Sequence, residues 1–236
     1  MKLNTAMIMA AGFGTRMGVL TQDVPKPMLA LQGRPMIEHT LDHVRGAGIA
    51  TAVINLHYRS DRIREYLDGC ASPEIRFSEE QPEILDTGGG IVQALPMLGD
   101  APFCVLNSDA VFLGPNPIGI LMQHWDDAST DALLLKVPKQ RAIAYTREGD
   151  FFLDEATGKP TRRGDAESAP YVYAGVQIIR PEAFRNAPEG AFSTNLIWND
   201  LLAKHRLRAA VYPGRWVDVG TPGGLEAAET ELAARS

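Results

Sequence analysis

The sequence predicts an α/β fold, a mostly parallel mixed sheet with helices on both faces. Three observations predict it. A short apolar run, Ala6-Met7-Ile8-Met9-Ala10, empties into a glycine-bearing loop. Strand-like and helix-like segments then alternate through the first half of the chain. A second apolar run, Pro102-Phe103-Cys104-Val105-Leu106, empties into Asn107-Ser108-Asp109. A strand–helix–strand rhythm builds a parallel sheet through right-handed crossovers, and ligands bind such sheets beyond the strands' carboxyl ends.

Each element has its own warrant. The run at 6–10 is continuously apolar, as in a strand covered on both faces. Pro35 fits the first turn of a helix in which Ile37, Leu41 and Val44 recur at helical spacing, and Gly48 ends it. Residues 52–56 read as the second strand. Ser60 suits the cap of a helix through Leu67, with Asp61 favourable in its first turn. Residues 75–77 form a short third strand. Gly88, Gly89 and Gly90 read as a turn before a helix over 91–98. Such a turn is either plainly flexible or a close backbone approach to a flat ligand. The second is favoured because the segment returns to the same sheet edge.

Beyond Asp109 the pattern is less regular. Residues 118–125 read as a helix, and 132–135 and 142–145 as strands. Glu148-Gly149-Asp150 is a hairpin-turn signal leading back through 151–153. The polar stretch 159–169, with Arg162 and Arg163 adjacent, reads as a solvated loop; the alternative is a flap over a ligand. Residues 171–179 form a long strand in which Gly175 marks a bulge or a close ligand approach. Residues 181–184 begin a short helix. Thr194 or Asn195 caps another over 196–204. Trp216, Val217 and Val219 place Asp218 at the tip of a short strand. Thr221 and Pro222 then open the last helix.

The whole chain sets bounds. At 236 residues, 45% hydrophobic and 22% charged, it has ordinary globular composition. A net charge of −6 argues against a general binder of nucleic acid or of anionic membrane. Cys70 and Cys104 lack C-x-x-C spacing, and Cys104 lies in an apolar run, so a reduced, cytoplasmic protein is expected. The N-terminus lacks an apolar stretch of signal-peptide type, and no apolar run reaches the roughly 18 residues of a membrane span. The five histidines show no metal-ligand spacing. The sequence leaves the oligomeric state open.

The chemistry concentrates in 6–27. Small residues and two glycines after a buried strand let backbone N–H groups approach an anion. Arg16 adds a planar fork suited to phosphate. Lys26 stands between Pro25 and Pro27, which restrict the backbone around it. The loop is neither a dinucleotide fingerprint, because Met17 replaces its third glycine, nor a Walker A loop, because it lacks G-K-[ST].

Ala10-Ala11-Gly12-Phe13-Gly14-Thr15-Arg16-Met17, followed by Pro25-Lys26-Pro27-Met28, resembles the signature of the sugar-1-phosphate nucleotidyltransferases. The similarity covers essentially the whole chain and is greatest to short bacterial members that transfer a uridylyl group to N-acetylmuramate 1-phosphate. One departure is visible: Gly18-Val19-Leu20-Thr21 stands where the family usually has a residue followed by Pro-Leu-Thr. The resemblance implies a Rossmann-like nucleotidyltransferase fold in one domain over 1–236. Residues 1–115 would be its nucleotide-binding half and 116–236 its sugar-phosphate half.

The resemblance also implies roles. Arg16 and Lys26 would be catalytic. Ala11, Gly12, Gly14 and Thr15 would cradle phosphates, and Gln81, Thr87 and Gly88 would contact the base. Glu80 is the alternative to Gln81, since spacing does not choose between them. Asn107, Gly149, Gly175 and Asn195 would face the sugar. Asp109 and Asp218, the latter in a W-x-D-V-G-T run, would hold Mg²⁺. The substrates would be a nucleoside triphosphate, with UTP expected, and a sugar 1-phosphate. Mannose-1-phosphate guanylyl transfer and glucose-1-phosphate thymidylyl or uridylyl transfer are the rival readings, as is a regulatory module without catalysis. The chain leaves no room for the C-terminal β-helix of some relatives, so a single activity is expected.

Overall fold

The computed structural model describes residues 1–235. Its strands are β1 (Thr5–Met9), β2 (Thr51–Leu56), β3 (Glu74–Glu79), β4 (Phe103–Asn107), β5 (Ala110–Leu113) and β6 (Ala132–Pro138). They continue as β7 (Phe151–Asp154), β8 (Lys159–Arg162), β9 (Tyr171–Ile179), β10 (Leu207–Val211) and β11 (Arg215–Asp218). The helices are α1 (Met36–Gly46), α2 (Ser60–Leu67), α3 (Asp86–Leu98), α4 (Pro117–His124), α5 (Asn195–Ala203) and α6 (Pro222–Ala233).

A nine-stranded sheet runs β8-β7-β9-β4-β1-β2-β3, with β6 and β10 branching from β9. The first half, β4-β1-β2-β3, is parallel throughout. The antiparallel strand β9 joins β4 to the second half, so both halves share one sheet. Alternate residues of each central strand feed two cores. Ala6, Ile8, Ala52, Ile54, Cys104 and Leu106 meet α1, α2 and α4 on one face. Met7, Val53, Phe103 and Val105 meet α3 and α5 on the other. This is the period-two logic of a strand, and it is why these strands read as largely apolar runs. A third, smaller core joins Val111 of β5 and Val217 of β11 to Ala228 of α6.

The structure corrects several expectations. Gly88 to Gly90 lie inside the first turns of α3, not in a turn before it. A Cβ on Gly88 would lie 2.3 Å from the Phe192 ring, and one on Gly89 would lie 2.3 Å from the Gly190 carbonyl oxygen. The glycines are there because the 190–192 segment packs directly on the helix. The hairpin expected between 142–145 and 151–153 does not form. Ala142–Ile143 pairs instead with β11, and β7 pairs with β8 and β9. The stretch read as a solvated loop therefore begins with a strand, β8, whose Pro160 is buried while Lys159 and Thr161 are exposed. Ser60 is the first residue of α2, behind a left-handed Arg59, and does not cap it. Thr194 stands at the cap position of α5 without a side-chain cap bond. Thr221 does cap α6, its hydroxyl accepting from the Gly224 N–H at 3.2 Å. At Gly175 the φ of 78° coincides with a register shift between β9 and β6, which is the expected bulge.

One core residue has no counterpart in the sequence reading. Lys136, in the middle of β6, is fully buried and its amine has no hydrogen-bond partner among the described residues. Its Nζ lies 3.1 Å from the Phe151 ring centroid and 5.3 Å from that of Tyr173. Burial holds the amine well below the usual lysine range, with Arg162 pushing the same way and Asp150 opposing. The folded chain therefore disfavours the protonated amine, whereas the unfolded chain protonates it below a pH of about 10.4. Lys136→Met is expected to raise the unfolding free energy at pH 7 by roughly 1–3 kcal/mol, the cost of an unpartnered buried donor. The gain should shrink as pH rises toward about 10.4, where the unfolded chain stops gaining the proton. Chemical denaturation at pH 7 and pH 10 measures both; a less stable Met variant would contradict this account.

Candidate active site

The carboxyl ends of β1, β2, β3 and β4 are tied together by a chain of buried polar bonds. The Ala10 N–H donates to Asn55 Oδ1 at 2.7 Å, and Asn55 Nδ2 donates to Glu80 Oε1 at 2.6 Å. Glu80 Oε2 accepts from the Leu85 N–H at 2.7 Å. Ser108 Oγ donates to the Met9 carbonyl at 2.7 Å. A buried network of this kind is fully satisfied and therefore rigid. It fixes the glycine loop, the 80–86 segment and the 107–109 turn relative to one another.

Over this edge lies a cleft with two lobes. The first, about 300 Å³, is lined by Ala11, Gly12, Gly14, Thr15, Lys26 and Glu80, among others. Gly14 sits at φ 66°, where a side chain is strained, and a Cβ there would press on Lys26 Cβ at 3.0 Å. The loop thus folds back against the lysine it was expected to accompany. The second lobe, about 530 Å³, is lined by Gly149, Gly175, Asn195, Asp218 and aromatic Tyr173 and Trp198, among others. Arg16, Thr87, Asn107 and Asp109 line both lobes and mark their junction.

The junction holds the charges. Lys26 Nζ donates to Asp109 Oδ2 at 2.6 Å, with the two side chains only 11% and 28% exposed. Asp218, the last residue of β11, is raised above the usual carboxylate range by burial and by the like charge of Asp109. Arg147, Arg16 and Lys26 pull it back down. A Cβ on Gly220 would lie 2.9 Å from both Arg16 Nη1 and Asp218 Oδ1, so glycine there leaves room for the guanidinium and carboxylate to approach. Two carboxylates with no third His, Cys, Asp or Glu grouped beside them among the described residues make an incomplete cage. That donor set suits a hard cation that keeps waters and takes its other ligands from phosphate oxygens.

Most of the residues expected at the site come together here. Gln81 does not: it is exposed and lines neither lobe, whereas Glu80 lines the first lobe with both oxygens engaged. Gly88 also lies beneath the cleft rather than on it, its N–H donating to the Phe192 carbonyl at 2.8 Å. Thr87, one residue earlier, reaches both lobes and accepts from the Thr194 N–H at 2.9 Å. The sequence reading missed Asp86, which lines both lobes with a left-handed φ of 56°. Non-glycine residues held in that region cluster at functional sites. It also missed Arg147, while Arg162 and Arg163, read as part of a solvated loop with a flap over a ligand as the alternative, line the second lobe.

Comparison with known proteins agrees with this geometry. A MobA-like NTP transferase domain matches residues 6–212. The chain is 37% identical over 235 residues to an N-acetylmuramate alpha-1-phosphate uridylyltransferase of Caulobacter vibrioides, covering 97% of this chain and 96% of that one. The chain belongs to the MobA-like NTP transferase family. Within it, this MobA-like protein is a sugar-1-phosphate nucleotidyltransferase, as its loop signature implied. It is also 33% identical, over 95% of its length and 96% of the relative's, to the protein of the same name from Neisseria meningitidis. A solved UDP-glucose pyrophosphorylase complexed with UDP-glucose shares the fold, with a TM-score of 0.81 over 99% of this chain and 100% of that one at 15% identity. No helix among the described residues is long and apolar enough to cross a membrane.

Proposed function

We propose that this nucleotidyltransferase moves a uridylyl group from UTP to N-acetylmuramate 1-phosphate, releasing pyrophosphate, in a Mg²⁺-dependent reaction. The observation that carries the chemistry is the junction, where Asp109, Asp218, Lys26 and Arg16 meet between two lobes. The choice of base and sugar is supported by the extended similarity to the two uridylyltransferases.

Nucleotidyl transfer brings two anions together, so positioning and charge stabilisation are most of the work. UTP occupies the first lobe, its phosphates against the backbone of residues 11–15. Arg16, exposed at the junction, neutralises the β- and γ-phosphates as they leave as pyrophosphate. Lys26 provides a fixed positive charge near the α-phosphate. Its amine donates to Asp109 Oδ2 at 2.6 Å. The sugar phosphate lies in the second lobe, over the Gly175 bulge and beside Asn107 and Asn195. Asp109 and Asp218 would hold the Mg²⁺, which when bound supplies charge neutralisation between the α-phosphate and the incoming phosphate. Burial and the like charge of Asp109 raise the Asp218 carboxyl, and a bound cation would offset both.

The test is pyrophosphate release with Mg²⁺ across UTP, dTTP, GTP, CTP and ATP, each against a panel of sugar 1-phosphates. Release is expected to be strongest with UTP and N-acetylmuramate 1-phosphate. Release only with GTP and mannose 1-phosphate would keep the mechanism and overturn the substrates.

A further inference from the structure

The second lobe is lined by four arginines as well as by four aspartates, Asp86, Asp109, Asp150 and Asp218. Arg16, Arg147, Arg162 and Arg163 all line the cleft, and none of them makes an ion pair among the described residues. Arg180, Arg206 and Arg215, by contrast, each pair with a carboxylate. Guanidinium groups that face a cavity and make no ion pair there are available to an anion. These four divide into two groups. Arg16 and Arg147 belong to the junction, since both act on Asp218. Arg162 and Arg163 sit on β8 and just beyond it, beside Asn195 and Trp198 of α5.

Arg162 is held in place. Its Nε and Nη2 donate to Asn199 Oδ1 at 3.1 and 2.9 Å, and Nη2 also reaches the Asn195 carbonyl at 3.3 Å. Its guanidinium lies 4.7 Å from the Phe151 ring centroid and 5.4 Å from that of Trp198. Nη1 is left without a partner among the described residues. Arg163 makes only long contacts, its Nη1 at 3.4 Å from the carbonyls of Ala166 and Glu167. Asp150 is the carboxylate whose charge acts on Arg162, and it is engaged by the Tyr173 N–H at 2.9 Å. The free Nη1 of the stacked, preorganised Arg162 and the weakly held guanidinium of Arg163 beside it can each donate to one oxygen of a carboxylate.

The geometry points to Arg162 and Arg163 as the edge of the second lobe that reads a carboxylate on the sugar, separate from its 1-phosphate. This assignment rests on the sugar-phosphate reading of the second lobe proposed above, and it fits the lactyl carboxylate of N-acetylmuramate. It makes acidity of the sugar, rather than its ring stereochemistry alone, a determinant of acceptor choice.

The experiment compares kcat/KM for N-acetylmuramate 1-phosphate and N-acetylglucosamine 1-phosphate, which differ by the lactyl ether. Glucuronate 1-phosphate against glucose 1-phosphate forms a second acidic and neutral pair. The wild type is expected to prefer the acidic member by about ten- to a hundredfold. Arg163→Gln and Arg162→Gln should each bring that ratio down by roughly tenfold, mainly through KM for the acidic sugar, and Arg163→Lys should restore part of it. Arg163→Gln carries the test if Arg162→Gln, which loses its packing on Phe151 and Trp198, fails to fold. N-acetylmuramate 1-phosphate turned over with a ratio that neither substitution moves would overturn the carboxylate edge and leave the substrate reading standing. A preference for glucuronate 1-phosphate that depends on Arg163, with N-acetylmuramate 1-phosphate refused, would support the edge and overturn that substrate. Neutral sugars preferred throughout would overturn both.

Discussion

Asp218→Asn is expected to lower turnover by roughly a thousandfold while making the metal-free protein more stable. The loss follows from removing one of two carboxylates that would hold the cation, an interaction of several kcal/mol in the transition state, at about 1.4 kcal/mol per tenfold. The gain follows from the electrostatics of the junction without a cation. Burial and the charge on Asp109 raise the Asp218 carboxyl above its usual range, so the folded chain binds that proton more tightly than the unfolded one. The ionised form therefore costs stability once pH exceeds the unfolded value of about 3.9, in full above the raised folded value. Asparagine removes that cost and keeps an oxygen for the Gly220 N–H, which the Asp218 side chain accepts at 3.1 Å. The variant's advantage should be present at pH 7 in EDTA and vanish as pH falls below about 3.9. Thermal melts in EDTA together with pyrophosphate release read both halves. A variant that loses activity and stability together would make Asp218 a structural residue.

Lys26→Met should also be severe, but with the opposite stability sign. Turnover is expected to fall by about a hundred- to a thousandfold, as for loss of one charge-stabilising donor. The Asp109 carboxylate then loses its 2.6 Å partner in a site only 28% exposed, so the variant should be less stable than the wild type. Adding Asp109→Asn should recover part of that stability without recovering turnover, because no charge is then left alone. Lys26→Arg should fail to rescue, since Lys26 is 9% exposed and packed against the Gly14 turn, which leaves little room for a wider head group. A double variant less stable than either single would show that the pair does not act as one unit.

Much of this molecule was legible in its residues. The strands β1, β2 and β4 are largely apolar runs, β2 broken only by Asn55 near its end, because helices cover both faces, and such runs stand out from turns. Arg16 and Asp109 were legible because each follows one of those strands, Lys26 because two prolines flank it, and Asp218 through the W-x-D-V-G-T run of the family resemblance. The second half was harder for physical reasons. β8 reads Lys-Pro-Thr-Arg, and its one buried residue, Pro160, gives no strand signal. β5 and β10 are short runs, and their pairing partners lie more than 70 residues away in sequence. Gly88 to Gly90 read as a turn because composition does not reveal the Phe192 segment pressed on α3. Lys136 and Arg162 carried no local signal: a lysine in an apolar strand and a basic pair in a polar stretch become informative only when the sheet places Phe151 against both.

The most direct test of the central claim is pyrophosphate release from UTP and N-acetylmuramate 1-phosphate, followed with and without Mg²⁺ and with each substrate omitted. The two-lobed junction predicts release matched one to one by the nucleotide-sugar, lost in EDTA and lost when the sugar phosphate is left out. Release that proceeds without the sugar phosphate, or none at all from folded protein that still binds UTP, would contradict it.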